Sequence, residues 1–320
     1  MIKAINICLA TDDNYARHCA AAIASIIANA DKEDRIRFHI LCDRLSGKSA
    51  AGIAGLAAAT GRDDCEIRFV AIDPKDFDGC PIPEGGYVRK ANYYRLMIPW
   101  LLPELERVLY LDCDMIVLSS LSALFNADLG GMPAAMVPDE YGDKHRKDLV
   151  ADRYPYFNSG VILIDCRRWR EEHLKDAIFE WVPKNIDRIR IADQDILNAL
   201  LQGRILELNR KYNLFDSLYT AGWKGRWNAG DLPVVMHFVG SVKPWDFVCG
   251  SPSDRLYFSY LNRTPWRREK YRHFFAMTPA KLRKIRRKIL RALKHGLYDL
   301  NPNIFTYVKS IYVKYGGKPI

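Results

Sequence analysis

The sequence lacks a hydrophobic run long enough to cross a bilayer, a CxxC pair, a Cys/His cluster at zinc spacing, an internal repeat and a low-complexity linker. These absences exclude a bundle of membrane spans, a zinc module and a solenoid. The apolar stretch after Met1-Ile2-Lys3 reaches only to Asp12, too short for a signal peptide's core and cleavage region. A cytoplasmic protein is therefore expected. The cysteines Cys8, Cys19, Cys42, Cys65, Cys80, Cys113, Cys166 and Cys249 stand singly in apolar or mixed contexts, and read as reduced, mostly buried thiols. What remains is the composition of a globular enzyme: 320 residues, 49% hydrophobic and 27% charged, enough for one large domain or two modest ones.

Acidic residues are scarce in one place only. From Pro265 to the end there are 15 Lys/Arg and 2 Asp/Glu, a net of +13, whereas the first 264 residues carry 33 and 36, a net of −3. The formal charge of +10 thus belongs to the tail, and a local excess acts only on the anionic surface that meets that face. Within it, Leu282, Ile285, Ile289 and Leu293 recur at spacings of three and four, which predicts a helix with one apolar face and cations opposite. Trp266, Tyr271, Phe274, Phe275, Tyr298, Phe305, Tyr307 and Tyr312 flank it. Such a segment suits the headgroup region of an anionic bilayer, with a solvated helix packed on the catalytic body as the alternative. Domains are accordingly expected at 1–264 and 265–320.

Short apolar runs predict strands at Ile5–Thr11, Ile36–Cys42, Glu66–Ile72, Arg107–Leu111, Ala134–Val137, Gly160–Ile164 and Val234–Phe238. Helical sequence separates them, at Ala16–Ala28, Ser46–Thr60, Arg167–Trp181 and Asp193–Leu201. The alternation predicts an α/β fold with a mainly parallel sheet flanked by helices. In such sheets ligands sit beyond the carboxyl ends of strands, so the polar residues after Ala10 and Leu111 mark the expected site. Asp112 and Asp114, one residue apart after a strand, form an oxygen-rich pair that suits a hard divalent cation holding phosphates. A solvated strand end is the competing reading.

Six segments in order give that pair its context: Ala10-Thr11-Asp12-Asp13-Asn14-Tyr15, Tyr93-Tyr94-Arg95-Leu96, Tyr110-Leu111-Asp112-Cys113-Asp114, Phe157-Asn158-Ser159-Gly160-Val161, Asp193-Gln194-Asp195-Ile196-Leu197-Asn198, and His237-Phe238-Val239-Gly240-Ser241-Val242-Lys243-Pro244-Trp245. Together they resemble glycosyltransferase family 8, retaining enzymes that include bacterial lipopolysaccharide α-galactosyl- and α-glucosyltransferases. The likeness spans about residues 3 to 250. It implies a GT-A fold, Rossmann-like, with the basic helical tail appended.

Carried over by position, the resemblance makes Asp112, Asp114 and His237 ligands of Mn²⁺, with Mg²⁺ as the alternative. Ala10, Asp12, Asn14 and Tyr15 become the nucleotide pocket, together with Asp112. Gly240 and Lys243 fall to the diphosphate. Arg95, Asn158, Asp139, Asp193 and Gln194 fall to the donor sugar, with Arg95, Asp193 and Gln194 as the catalytic group. A flat aromatic beside a carboxylate that accepts an imide N–H is a sensible reader of uracil, while Asp12-Asp13-Asn14 also reads as a turn or helix N-cap. The family usually has Ala or Asp where Cys113 stands, so the metal's oxygen ligands are kept and a carboxylate near the ribose is lost.

The resemblance implies UDP-galactose or UDP-glucose as donor, and retention of configuration. An amide at Gln194 is a poor nucleophile, so attack from the leaving group's own face is expected, with Asp193 as a competing nucleophile. The acceptor is expected to be a glycolipid, with lipopolysaccharide core foremost and teichoic-type lipids alongside. The enzyme is expected to sit peripherally on the inner face of the inner membrane. Competing classes are a nucleotidyltransferase, for which a basic Gly-rich loop after the first strand is missing, and a non-catalytic membrane- or nucleic-acid-binding protein. The net acidic body argues against nucleic acid as a partner.

Overall fold

The structure is a computed structural model that describes residues 4–62, 64–82, 89–216, 232–240, 243–245 and 252–268. The amphipathic segment 280–294, its flanking aromatics other than Trp266, and Cys249 lie outside the described residues. The chain divides into two compact units, Met1–Leu214 with Pro233–His237, and Phe215–Leu232 with Phe238–Ile320. Of the segment expected as a separate tail, 265–320, only residues 265–268 lie within the described residues.

In the first unit the strands are β1 (Ile5–Ala10), β2 (Ile36–Cys42), β3 (Cys65–Ala71), β4 (Arg107–Leu111), β5 (Met115–Val117), β6 (Ala134–Pro138), β7 (Phe157–Asp165) and β8 (Ile205–Glu207). Seven form one sheet in the order β3-β2-β1-β4-β7-β6-β8. The pairs β1/β2, β2/β3, β1/β4 and β6/β8 are parallel, and only β7 runs against its neighbours. The core strands are buried on both faces, as their unbroken apolar runs require: Ile7, Leu9, Leu109 and Leu163 have no exposed surface. The chain steps from β1 outward to β2 and β3, then returns to place β4 on the other side of β1. That reversal opens the crevice in which α/β sheets bind ligands, beyond Ala10 and Leu111.

The helix Ala16–Asn29 is almost wholly buried, its alanines allowing close approach. It also holds β5: the Ser25 hydroxyl accepts from Val117 N at 2.9 Å, and Asn29 Nδ2 donates to Val117 O at 3.0 Å. The strand Val235–His237 pairs antiparallel with β5, setting His237 opposite Met115. Two expected helices are interrupted. Ser46–Thr60 divides into Gly47–Ala54 and Leu56–Ala59, and Arg167–Trp181 into Cys166–Glu171 and Leu174–Lys184, with His173 at φ 53° between the latter pair.

In the second unit the helix Pro252–Leu261 presents Tyr257 to Phe238 and Trp245, with ring centroids 5.9 and 4.9 Å away. Among the described residues no helix is long and apolar enough to cross a membrane.

Candidate functional site

Leu111 ends β4, and Asp112 N still donates to Gly160 O at 2.9 Å, so the chain leaves the sheet gently enough to turn Asp112 and Asp114 toward one volume. His237 arrives from the antiparallel strand beside β5. One ligand atom from each of Asp112, Asp114 and His237 lies within 4.8 Å of the others. His237 Nε2 is 3.2 Å from Asp114 Oδ1 and 3.8 Å from Asp112 Oδ2. Two carboxylates and an imidazole nitrogen converging at this spacing are a donor set for a divalent cation, and the residues present fit one.

Gly160 makes that approach sterically feasible. A Cβ there would lie 2.5 Å from His237 Cε1 and 2.7 Å from Met115 Cε, closer than packed atoms come. Its placement follows from a break in strand pairing: Met136 faces Ile162, but Val137 faces Asn158, so Ser159–Val161 are extra on β7. Such a bulge re-aims side chains, and here it sends Asn158 and Ser159 toward the site.

Arg95 is the charged hub. It is 2% exposed, and Nη2 donates to Asp112 Oδ1 at 2.8 Å, while Nε lies 3.1 Å from Asp193 Oδ2. Nη1 donates to Ser159 O at 2.6 Å, and the guanidinium lies over the Tyr110 ring at 4.3 Å. Burial works against its charge, but Asp112 and Asp193 outweigh it and hold the guanidinium protonated. The Tyr110 hydroxyl adds a second donor to Asp112 Oδ1 at 2.9 Å.

Asp193 opens the helix Ala192–Leu200, behind Ala192 at φ 45°. That left-handed conformation costs an alanine energy, and Asp195 holds the turn: its Oδ2 accepts from Arg190 N and Ile191 N at 2.6 and 2.7 Å. Its Oδ1 accepts from Arg146 Nε and the Tyr156 hydroxyl. Burial pushes the Asp193 carboxyl up to about 7 against the pull of Arg95. Its Oδ2 is buried and accepts no hydrogen bond, because Arg95 Nε is directed to the Asn92 carbonyl instead.

Gln194, Asn158 and Asp139 form one cluster. Gln194 Oε1 accepts from Asn158 Nδ2 and Ser159 N, both at 3.1 Å, and Gln194 Nε2 donates to Asp139 Oδ2 at 3.0 Å. Asp139 also caps the helix Glu140–His145 through Oδ1.

The loop after β1 is built differently. Asp12 Oδ1 accepts from Tyr15 N at 2.9 Å, and Asn14 Nδ2 donates to Asp12 Oδ2 at 3.3 Å. Of the two local readings the turn holds: Asp12 closes back onto Tyr15, whereas the N-cap of the following helix is Tyr15 itself, with no side-chain cap bond. Cys113 joins this loop to the carboxylate pair, its thiol donating to Ala10 O at 3.1 Å. A hydrogen bond with Cys19, and then burial, keep that thiol protonated.

The structure thus brings together Asp112, Asp114, His237, Arg95, Asp193, Gln194, Asn158 and Asp139, and ties Ala10 to them through Cys113. Gly240, at φ 92°, and Lys243, whose buried ammonium donates to Phe238 O, belong to the second unit. The sequence reading passed over Asn213, which touches both His237 and Asn158, because no spacing or motif links it to either. It also gave no task to Asp195, Tyr110 and Gly160, although all three lie inside the quoted segments.

The family model described as "Glycosyl transferase family 8" matches residues 6–249. General stress protein A of Bacillus subtilis (strain 168) is 30% identical over 268 residues, covering 80% of this chain and 92% of its own length. Lipopolysaccharide 1,2-glucosyltransferase of Escherichia coli is 27% identical over 283 residues, 84% of this chain and 81% of its own. Among solved structures, the galactosyltransferase LgtC in complex with donor and acceptor sugar analogues superposes with a TM-score of 0.73 at 30% identity. That match covers 83% of this chain and all of the other, 100%.

Proposed function

Because the chain belongs to glycosyltransferase family 8 and has a GT-A fold, we propose that it transfers galactose or glucose from a UDP-sugar to a hydroxyl of a glycolipid. Lipopolysaccharide core is the favoured acceptor. The observation that carries the reading is the convergence of Asp112, Asp114 and His237, with Arg95 linking that cluster to Asp193. In this reading Asp112, Asp114 and His237 hold Mn²⁺, with Mg²⁺ as the alternative. Bound there, the cation supplies positive charge against the diphosphate that departs.

The chain's own residues then do the following. Arg95 orients Asp112 and adds a fixed positive charge beside it. Asp193 offers its unused buried Oδ2 to a donor-sugar hydroxyl. Gln194 Oε1 already accepts two hydrogen bonds, which lowers further the nucleophilicity of an amide. That supports attack by the acceptor hydroxyl from the leaving group's side, its proton passing to the departing phosphate. The C1–O bond to UDP breaks as the new glycosidic C1–O bond forms.

The acceptor's setting rests on residues 265–320, with their net +13 and aromatic flanks. We infer peripheral association with the inner face of the inner membrane through this tail. Flotation of the full chain with anionic vesicles, weakened by salt and absent with zwitterionic vesicles, is the expected result.

UDP release from UDP-galactose and UDP-glucose in turn, with and without Mn²⁺ and with water as acceptor, tests the activity. Slow, metal-dependent hydrolysis of one donor, lost in Asp114→Ala, is expected. No release together with no metal-dependent UDP binding by calorimetry overturns the reading. A covalent glycosyl adduct on Asp193, seen by mass spectrometry, replaces front-face attack with a double displacement.

A further inference from the structure

We propose that Asn213 is a positioning residue that keeps a proton on His237 Nδ1 and so turns the Nε2 lone pair toward the cation site. The inference rests on the reading of Asp112, Asp114 and His237 as that site, and it concerns a residue outside the ligand set.

His237 Nδ1 lies 2.9 Å from Asn213 Oδ1, and Asn213 Nδ2 donates to Asn158 Oδ1 at 2.8 Å. Which way an amide faces cannot be read from its shape, but here both ends of the chain of bonds are determined by chemistry. At one end Ser159 N–H and Gly160 N–H are donors only. They meet Gln194 Oε1 at 3.1 Å and Asn158 Oδ1 at 2.9 Å. At the other end the Asp139 carboxylate only accepts. It meets Gln194 Nε2 at 3.0 Å and Asn158 Nδ2 at 3.4 Å. The amides of Gln194 and Asn158 are therefore each oriented from two sides. With Asn158 Oδ1 facing it, Asn213 must present Nδ2 there, which leaves its oxygen toward His237. A carbonyl oxygen only accepts, so the imidazole carries its proton on Nδ1.

The consequence falls on Nε2. Nε2 is then the nitrogen 3.2 Å from Asp114 Oδ1 and 3.8 Å from Asp112 Oδ2, an arrangement that calls for positive charge among the three, a cation meeting the Nε2 lone pair or a proton in its place. Asn213, His237 and Asn158 are 1, 5 and 6% exposed and Gly160 is buried, so water does not easily substitute for the amide. Gly160 supplies the floor under the ring, since any side chain there would displace His237 Cε1. Partners of this kind fix the tautomer of a metal-binding histidine and raise its basicity.

The test combines two readouts. Nitrogen NMR of the full chain labelled in histidine, with His237→Gln for assignment, reports which ring nitrogen is protonated across a pH series without metal. Mn²⁺ affinity is measured by EPR on the parent, Asn213→Ala and Asn213→Asp. The expected result is an Nδ1 that stays protonated in the parent and becomes partly unprotonated in Asn213→Ala. Mn²⁺ affinity should fall about 10–100-fold in Asn213→Ala and recover in part in Asn213→Asp, whose carboxylate accepts the same proton but cannot donate to Asn158 Oδ1. An unprotonated Nδ1 in the parent at any pH overturns the proposal, as does equal affinity in parent and Asn213→Ala. If the parent binds no Mn²⁺, the metal reading fails, and the ring signals alone decide the role of Asn213. If Asn213→Ala does not fold, the parent spectrum and Asn213→Asp decide it.

Discussion

The loops that follow β1 and β4 lie side by side at the same edge of the sheet, yet they are organised on different length scales. After β1, Asp12, Asn14 and Tyr15 are held by bonds spanning two or three residues, and their side chains are partly or fully exposed. Among its distant ties is Asp13, whose carboxylate accepts from Ser46 N and Oγ. After β4, Asp112 is held by Arg95, 17 residues away, and faces His237 from a separate strand. The first loop takes much of its shape from bonds within its own sequence. The second exists only when β4, β7, the helix Ala192–Leu200 and the strand of His237 are all in place. The turn after β1 thus tolerates local change, whereas the charge-bearing centre requires the whole sheet.

That contrast is most severely tested by Arg95→Met. It leaves Asp112 and Asp193 without their buried counter-charge, and a loss of about 3–5 kcal/mol is expected, the scale for breaking a buried ion pair. Chemical denaturation of the variant measures it. Asp114→Ala should reduce metal-dependent donor hydrolysis by about 10²–10³-fold, as for loss of a preorganised electrostatic contact, with little change in the thermal midpoint. Gly160→Ala should cost about 1–3 kcal/mol through overpacking and weaken Mn²⁺ affinity, because the new methyl meets His237.

Asp193 adds a pH signature. Its folded pKa of about 7 lies above that of an ordinary aspartate, so the native chain binds more protons than the unfolded one between those values. Stability from this group is therefore expected to fall as pH rises through that window and to stay level beyond it. Asp193→Asn should flatten the profile there in denaturation measured across pH. The smallest effect belongs to the first loop. Hydrogen bonds from Ser49 and Ser46 lower the pKa of exposed Asp13, so its contribution is present above the usual carboxylate range and fades as pH drops through the lowered value. Asp13→Ala should cost under about 1 kcal/mol at neutral pH. A larger loss would show that this loop, too, depends on distant contacts.

Much of the frame could be read in advance. The apolar runs of β1, β2 and β4 announce themselves because strands buried on both faces carry no alternating polar residues. The ends of Arg167–Trp181 could not, since the break at His173 depends on a left-handed residue that no glycine marks. At the site, Asp112, Asp114, Asp193 and Gln194 stand in recognisable segments. Asn213 does not, because its task is defined by two side chains that reach it from 24 and 55 residues away.

By itself the sequence determined the strand and helix alternation, the crevice beyond Ala10 and Leu111, and the acidic pair with its ordered companions. Periodicity and local residue chemistry carry that information along the chain. Only the tertiary structure decided that Arg95 would join Asp112 to Asp193, that Gly160 would admit His237, and that Asn213 would face its ring. Those relations depend on sheet order and on a bulge in β7, and distance in space is not written in distance along the chain.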